Sequence, residues 1–289
     1  MHFHPALGDP EGLHERERGL FESEGFTPLA PSYAMPKQGF TEYLESSPSY
    51  PKAPRTACYL QVLPDGSDNP AFHACLTDHL EAFFGWQVRS LSLCAPGANA
   101  VIKDSNSSAQ ESAQIWASDV FEQMRRTLPA DAYCVVNLTY VDLYPEPSMV
   151  FLFSHRPVPP ADLFSFFRVD ATGHGSIPKD AWARCAKTIA HELCHLLGLA
   201  HCVFFRCLMN PGLATASSEP QHFSAPPKNA FALCPICLRK LAYACALDVR
   251  SRYQKLAGIS DRLGCPAQAE WFRARLSRTP GAFPIEWSP

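Results

Sequence analysis

The sequence predicts a mixed α/β (α+β) fold: a twisted mixed sheet backed by helices, one long helix at a cleft, and a small helical C-terminal lobe. Three observations carry this. Strand-like and helix-like segments alternate in the order β-α-β-α-β-β-β-α, a pattern that buries a sheet against helices. The 289 residues are 46% hydrophobic, enough for one sizeable core with two lobes around a cleft. Beyond about Pro235 the periodicity turns wholly helical.

The elements follow in order. Residues 1–57 carry eight prolines and no sustained periodicity, so they read as an irregular extension that reaches the body through Phe40, Tyr43 and Leu44. Cys58 to Leu63 reads as a strand. Ala71 to Phe84 has helical apolar spacing at Phe72, Cys75, Leu76, Leu80, Phe83 and Phe84. Trp86 to Cys94 alternates like a strand. Ala109 to Leu128 is expected to be a helix with Ile115, Trp116, Val120, Phe121 and Met124 inward. Strands are expected at Tyr133 to Leu143, Ser148 to Ser154 and Leu163 to Val169. The last of these offers an edge on which an extended peptide could add as a strand. A long helix should run from Pro178 to Leu197, another from Pro235 to Leu256, and a last one from Ala267 to Leu276. The Ala/Ser/Pro-rich stretch 214–229 reads as an exposed loop.

The chemistry concentrates at His191-Glu192-Leu193-Cys194-His195-Leu196-Leu197-Gly198-Leu199-Ala200-His201, which reads H-E-x-x-H-x-x-G-x-x-H. On a helix, residues four apart share a face, so His191 and His195 point together. Gly198 can end the helix in a left-handed conformation, letting the chain turn back to offer His201. Three nitrogen ligands and an open fourth position describe a catalytic zinc site. Glu192 can reach a zinc-bound water without ligating the metal. By chance the full pattern should arise in roughly one in 10⁵ such chains, which argues against an ordinary amphipathic helix with surface histidines. A site with a glutamate as third ligand is weaker, because the first downstream carboxylate is Glu219 in a stretch that does not look helical. Cys194 reads as a small packed thiol, with a metal-blocking or redox-sensitive thiol as the competing reading.

A second set follows. Cys202 and Cys207, then Cys234 and Cys237, form C-x4-C … C-x-x-C, a spacing that suits a tetrahedral structural zinc; buried thiols or a disulfide pair are the alternatives. Met209 lies between the pairs, where a metzincin places its Met-turn.

These residues resemble the archaemetzincin family, whose pattern is H-E-x-x-H-x-x-G-x-x-H-C-x4-C-x-M followed by a spacer and C-x-x-C. Every fixed residue of it stands here. Asp142-Leu143-Tyr144-Pro145, Phe164-Ser165-Phe166, Cys234-Pro235-Ile236-Cys237-Leu238 and Arg252-Tyr253 are similar too. The resemblance runs from about residue 45 to 255 and is nearest the eukaryotic branch. It implies a metzincin-like fold, one catalytic zinc on His191, His195 and His201, and one structural zinc on Cys202, Cys207, Cys234 and Cys237. It also implies peptidase activity, with an aminopeptidase preference for short peptides. The 24-residue spacer from Met209 to Cys234 is longer than the family's usual one, and the segment before the histidine helix is short; both departures bear on substrate preference.

The expected organisation is an extension over 1–57, an N-terminal catalytic subdomain over 58–201 and a C-terminal subdomain over 202–289. The partner is a peptide. A net charge of −3 argues against a nucleic-acid or anionic-membrane surface, and no apolar run approaches a bilayer span. The polar stretch Met1 to Gly12 has no signal-peptide core, so a cytoplasmic or nuclear location is expected. There the twelve cysteines favour metal ligands and free thiols, and the sequons at Asn106 and Asn137 stay unmodified. The rival to a peptidase is a zinc-stabilised interaction module with a weak or idle site. Glu192 discriminates, since a binding module does not need it.

Overall fold

A computed structural model describes residues 26–28, 37–63, 69–91, 114–144, 154–155, 161–166, 177, 179–210 and 231–278. The chain divides into two compact units. One comprises residues 51–77 and 86–185; the other comprises 1–50, 78–85 and 186–289. The division does not follow the 58–201 and 202–289 segments expected above. It falls within two helices, so the last eleven residues of the histidine helix go with the C-terminal elements.

The first unit is built on a five-stranded sheet. Strands β1 (Ala57–Val62), β2 (Gln87–Ser90), β4 (Ala132–Thr139), β6 (Ser154–His155) and β7 (Ala161–Ser165) lie in the order β2-β1-β4-β7-β6. All neighbours are parallel except β6, which runs antiparallel to β7. β4 is buried at every position and β7 likewise, as expected of inner parallel strands. β7 is therefore not an edge. β6 pairs with β7 at Leu163 and Phe164, which leaves no room for a peptide strand there; residues 167–169 of the expected edge lie outside the described residues. Asn137 is fully buried in β4 and donates its Nδ2 to the Asp162 carbonyl at 2.8 Å, which removes it as a glycan acceptor.

Two expectations break where the chain leaves this sheet. The helix predicted over 109–128 begins as a short strand, β3 (Gln114–Trp116), before helix α3 (Ala117–Thr127). The strand predicted over 133–143 stops at Thr139, whose hydroxyl accepts from the Val141 amide at 3.1 Å. The chain resumes as β5 (Asp142–Tyr144), parallel to β3 in a separate two-stranded sheet. Ser165 Oγ donates to the Val141 carbonyl at 2.7 Å and fixes that corner. Ile115, Val120, Phe121, Met124, Val135 and Leu163 then close one core. Each such side chain contributes about 1.5–3 kcal/mol on burial. A second aromatic group joins Phe72, Phe166, Tyr140 and Trp182 through ring contacts of 5.6–5.7 Å. Of the predicted strand 148–154, only Ser154 is described; residues 167–169 and the loop 214–229 lie outside the described residues.

The parallel pair β1–β2 needs a crossover, supplied by helix α2 (Pro70–Phe84). Its last turns belong to the second unit, with α1 (Phe40–Glu45), the end of α4 (Trp182–Leu196), and helices α5 (Pro235–Cys245), α6 (Val249–Arg262) and α7 (Pro266–Arg278). A turn of 3₁₀ helix at Lys179–Ala181 precedes α4. The single helix expected over 235–256 is two. Ala246 adopts a left-handed conformation (φ 49°), and Asp248 caps the next helix by accepting from the Arg250 and Ser251 amides. The break lets α6 pack on α7 through Tyr253 and Phe272, 5.5 Å apart. It also brings Arg252 inside, where its Nε donates to the Phe83 carbonyl at 3.0 Å and its guanidinium stacks 4.3 Å from the Phe83 ring. No helix among the described residues is long and apolar enough to cross a membrane.

Part of the 1–57 segment is described. Residues 40–45 form α1, with Phe40 and Tyr43 buried, while Leu44 is exposed. Phe26 is also buried, against Phe205 and Trp271.

His79 yields a test of this interior. It is 1% exposed, and burial, reinforced by the positive charge of Arg252, pushes its pKa from 6.5 down to about 3. The unfolded chain thus takes up a proton near pH 6.5 that the folded chain refuses until about pH 3. Stability must fall as pH drops through that window, by on the order of 1 kcal/mol per pH unit. Urea unfolding at pH 7, 5.5 and 4.5 should show a shallower decline for His79→Leu than for the parent; equal slopes would place the acid sensitivity elsewhere.

Candidate metal centre

α4 forms because Ala and Leu are frequent in it, with Arg, Lys and Glu beside them, and neither Gly nor Pro interrupts it. Its buried stripe runs through Ala186, Ile189, Ala190, Leu193 and Leu197. That stripe fixes the rotation of the helix, and so the direction of His191 and His195. Gly198 (φ +84°) then ends it. The Gly198 amide donates to the His195 carbonyl at 2.9 Å and the Leu199 amide to the Cys194 carbonyl at 3.1 Å, the bond pair of a Schellman turn.

The turn has two consequences. It carries His201 back beside the helix, and it aims the Leu199 carbonyl at His195. His195 Nδ1 lies 2.6 Å from that oxygen, and His191 Nδ1 lies 2.7 Å from the Leu208 carbonyl. A carbonyl only accepts, so each Nδ1 carries the proton and each Nε2 carries a lone pair. The two Nε2 atoms face one another at 3.0 Å. Two ring nitrogens on a tetrahedral zinc sit about 3.3 Å apart, given Zn–N bonds of about 2.0–2.1 Å. The His201 ring centroid lies 5.3 Å from that of His191 and 4.7 Å from that of His195. The three ligand atoms fall within 4.8 Å of one another. Burial pushes the His201 pKa down, favouring the neutral form a metal requires. The donor set therefore fits a zinc ion with one open position. Glu192 follows His191 on the helix and is half-buried.

The four cysteines also converge. Their sulfurs lie within 4.8 Å of one another, all are buried, and Cys202 Sγ is 3.7 Å from Cys234 Sγ. Tetrahedral zinc with Zn–S bonds of about 2.3 Å separates its sulfurs by about 3.8 Å, whereas a disulfide requires about 2.05 Å. All four are free thiols. Hydrogen bonds from Cys207, Cys234 and Cys237 hold the Cys202 thiol well below its ordinary pKa, so it ionises first. Burial then pushes Cys207 and Cys234 well up. Four thiolates can coexist here only around a cation, and the residues fit that group. Cys234 caps α5 and Cys237 lies in its first turn, where the helix N-terminus favours an anion.

Met209 is fully buried in the turn that joins the two sets. Its carbonyl accepts from the Cys202 amide at 2.7 Å, and the Leu208 amide donates to the Ala232 carbonyl at 2.9 Å. Asn210 braces the turn: its Oδ1 accepts from the Cys207 amide at 2.8 Å, and its Nδ2 donates to the Cys202 and Phe205 carbonyls at 2.9 Å. Sequence reading missed Asn210, although Asn before Pro is a turn signal. It also missed Gln38, Tyr43 and Lys240, for which no local signal exists. Cys194 is buried and its thiol is pushed well up by burial, which leaves it neutral and packed. His73 hydrogen-bonds Tyr140 at 3.2 Å, and His155 lies in β6. Asp170, His174, Glu219 and His222 lie outside the described residues.

A helix bearing H-E-x-x-H, a glycine turn to a third histidine and a buried methionine in the following turn are the features of a metzincin-type fold. No family profile matches the chain. It is 29% identical over 238 residues to archaemetzincin-2 of Macaca fascicularis, covering 72% of this chain and 60% of that one. It is 31% identical over 243 residues to archaemetzincin-1 of Homo sapiens, covering 71% and 46%. Among solved structures it is similar to the archaemetzincin of Methanopyrus kandleri, with 20% identity, a TM-score of 0.47, and coverage of 68% of this chain and 99% of that one. The chain belongs to the archaemetzincin family, and its sequence relatives are those of the eukaryotic branch. It spans about half the length of the curated relatives it matches.

The glycine turn is directly testable. A Cβ on Gly198 would enter a left-handed conformation and meet Pro48 Cβ at 3.1 Å. Gly198→Ala should cost more than about 1 kcal/mol of stability and weaken metal retention at the histidines. Chemical unfolding and metal titration of the variant check both; a variant as stable as the parent would show that the turn tolerates a side chain.

Proposed function

We propose that the chain is a zinc-dependent metallopeptidase. His191, His195 and His201 hold the catalytic zinc; Cys202, Cys207, Cys234 and Cys237 hold a structural zinc; Met209 forms the Met-turn. The observation that carries the reading is the pair of imidazole lone pairs at 3.0 Å, each fixed by a backbone carbonyl behind it. A bound zinc would supply a water with pKa lowered toward about 7 and a Lewis acid for the scissile carbonyl. Glu192 acts as general base, taking a proton from that water and later delivering it to the leaving amine. The half-buried setting of Glu192 restricts competing solvent. The bonds from Nδ1 of His191 and His195 to carbonyls fix the tautomer, so Nε2 is the ligating nitrogen of each ring. Glu192 is also what favours an enzyme over an interaction module.

The finer reading is an aminopeptidase acting on short peptides. It rests on the family resemblance.

Two measurements test the proposal. Elemental analysis of the purified protein should find two zinc ions per chain, and brief chelation should remove one while the fold is retained, because the histidine site exchanges water and the cysteine site is closed. A single ion in total would count against the cysteine reading. Glu192→Ala should keep both ions while turnover of amino-acid amides falls by at least about 10²; parent-like turnover would remove Glu192 from the mechanism.

A further inference from the structure

We propose that the amino-terminal segment of this chain is a clasp for the metal-binding loops, and that Gln38, Tyr43 and Lys240 are positioning residues for His201. The inference rests on the reading of the three histidines as a metal site.

His201 differs from its two companions. His191 and His195 are each oriented by a backbone carbonyl on Nδ1, whereas the His201 ring has no hydrogen-bond partner among the described residues. Its position is therefore set by the backbone of the turn that carries it. The groups that hold that turn come from about 160 residues earlier. Tyr43 donates its hydroxyl to the Leu197 carbonyl at 2.8 Å. Gln38 uses both ends of its amide: Nε2 donates to the Gly198 carbonyl at 3.0 Å, and Oε1 accepts from the Ala200 amide at 2.9 Å. Three main-chain groups between His195 and His201 thus find their partners on two side chains.

Lys240 locks the clasp from α5. Its ammonium is 2% exposed and donates to the Gln38 carbonyl and, at 3.0 Å, to Gln38 Oε1. It also lies 6.0 Å from the Tyr43 ring centroid. A buried ammonium held by neutral carbonyls is costly, and such a group persists where it fixes a geometry. Lys240 stands three residues after Cys237, so the same side chain connects the cysteine-bearing helix to the histidine turn.

The segment grips a second loop. The Thr27 carbonyl accepts from the Arg206 amide at 2.7 Å, Pro28 forms an antiparallel bridge with Phe205, and the Phe26 ring sits 6.5 Å from Phe205. Phe205 and Arg206 lie between Cys202 and Cys207. Tyr43 reaches the histidine turn and Gln38 reaches that turn and Lys240, whereas residues 26–28 meet Phe205 and Arg206, so the two grips are separable.

The test is the release of zinc from the zinc-loaded full-length chain to a coloured chelator in excess. Parent, Tyr43→Phe, and the Gln38→Ala/Tyr43→Phe double variant are compared. His191→Ala, which should lack the fast phase, identifies the histidine-held ion. The double variant should lose that ion about 10-fold faster or more, the range seen when outer-shell partners of metal ligands are removed. The slow, cysteine-held phase should match the parent, while the thermal midpoint falls by a few degrees for the hydrogen bonds lost. Tyr43→Phe keeps the ring and should show a smaller increase of the same kind, which keeps the test valid if the double variant does not fold. Unchanged fast release in both variants overturns the clasp. So does acceleration of both phases, which marks general loosening. If His191→Ala retains the parent's fast phase, the metal reading fails first and the clasp falls with it.

Discussion

Two imidazole lone pairs held 3.0 Å apart repel unless a cation lies between them, and the second unit of this chain is arranged to hold them there. The holding is done from behind. Each Nδ1 is committed to a carbonyl, one from the turn after the helix and one from the turn that carries Met209. Neither ring can rotate away without leaving a buried carbonyl unpaired, a cost of about 1–3 kcal/mol. The convergence is thus made by ordinary backbone groups at the ends of secondary structure, where unsatisfied carbonyls are available.

The same economy joins the two metal sets. His201 and Cys202 are covalent neighbours, so a single peptide unit passes from one to the other. The Cys202 amide then reaches the Met209 carbonyl, and the residue before Met209 supplies the carbonyl that orients His191. Closing the cysteine cluster therefore also fixes the turn behind the first histidine. Burial raises the cost of ionising Cys207 and Cys234, and a bound dication would offset it.

The legibility of the sequence was uneven, and the reason is range. The seven proposed metal ligands, Glu192 and Met209 could be read because their spacing is local: residues four apart on a helix, a glycine that permits the turn, and cysteines three or five apart. The structure brings the three histidines together and the four cysteines together. Most elements were legible for the same reason. The errors fall where a neighbour distant in sequence overrides local pattern. Gln114–Trp116 sits at the head of an apolar helical period, yet becomes a strand because Asp142–Tyr144 offers it a ladder. The 235–256 apolar spacing carries on from Cys245 to Val249, yet the helix breaks between them because the break lets α6 turn back onto α7 and takes Arg252 to Phe83. β7 looked like an edge, and only the pairing with β6 covers it.

What the sequence by itself determined is the chemistry: which atoms can bind a metal, which carboxylate stands beside them, and which glycine lets the third ligand return. These follow from residue type and spacing along a few turns of chain. What the tertiary structure decided is how that chemistry is held. Gln38, Tyr43 and Lys240 carry no pattern that marks them, since a side chain's partner is a carbonyl about 160 to 200 residues away and carbonyls leave no trace in a sequence. A proline-rich segment that reads as an irregular arm becomes the part of the fold that fixes the histidine turn. It does so because the end of a helix leaves main-chain groups that some other part of the chain must satisfy.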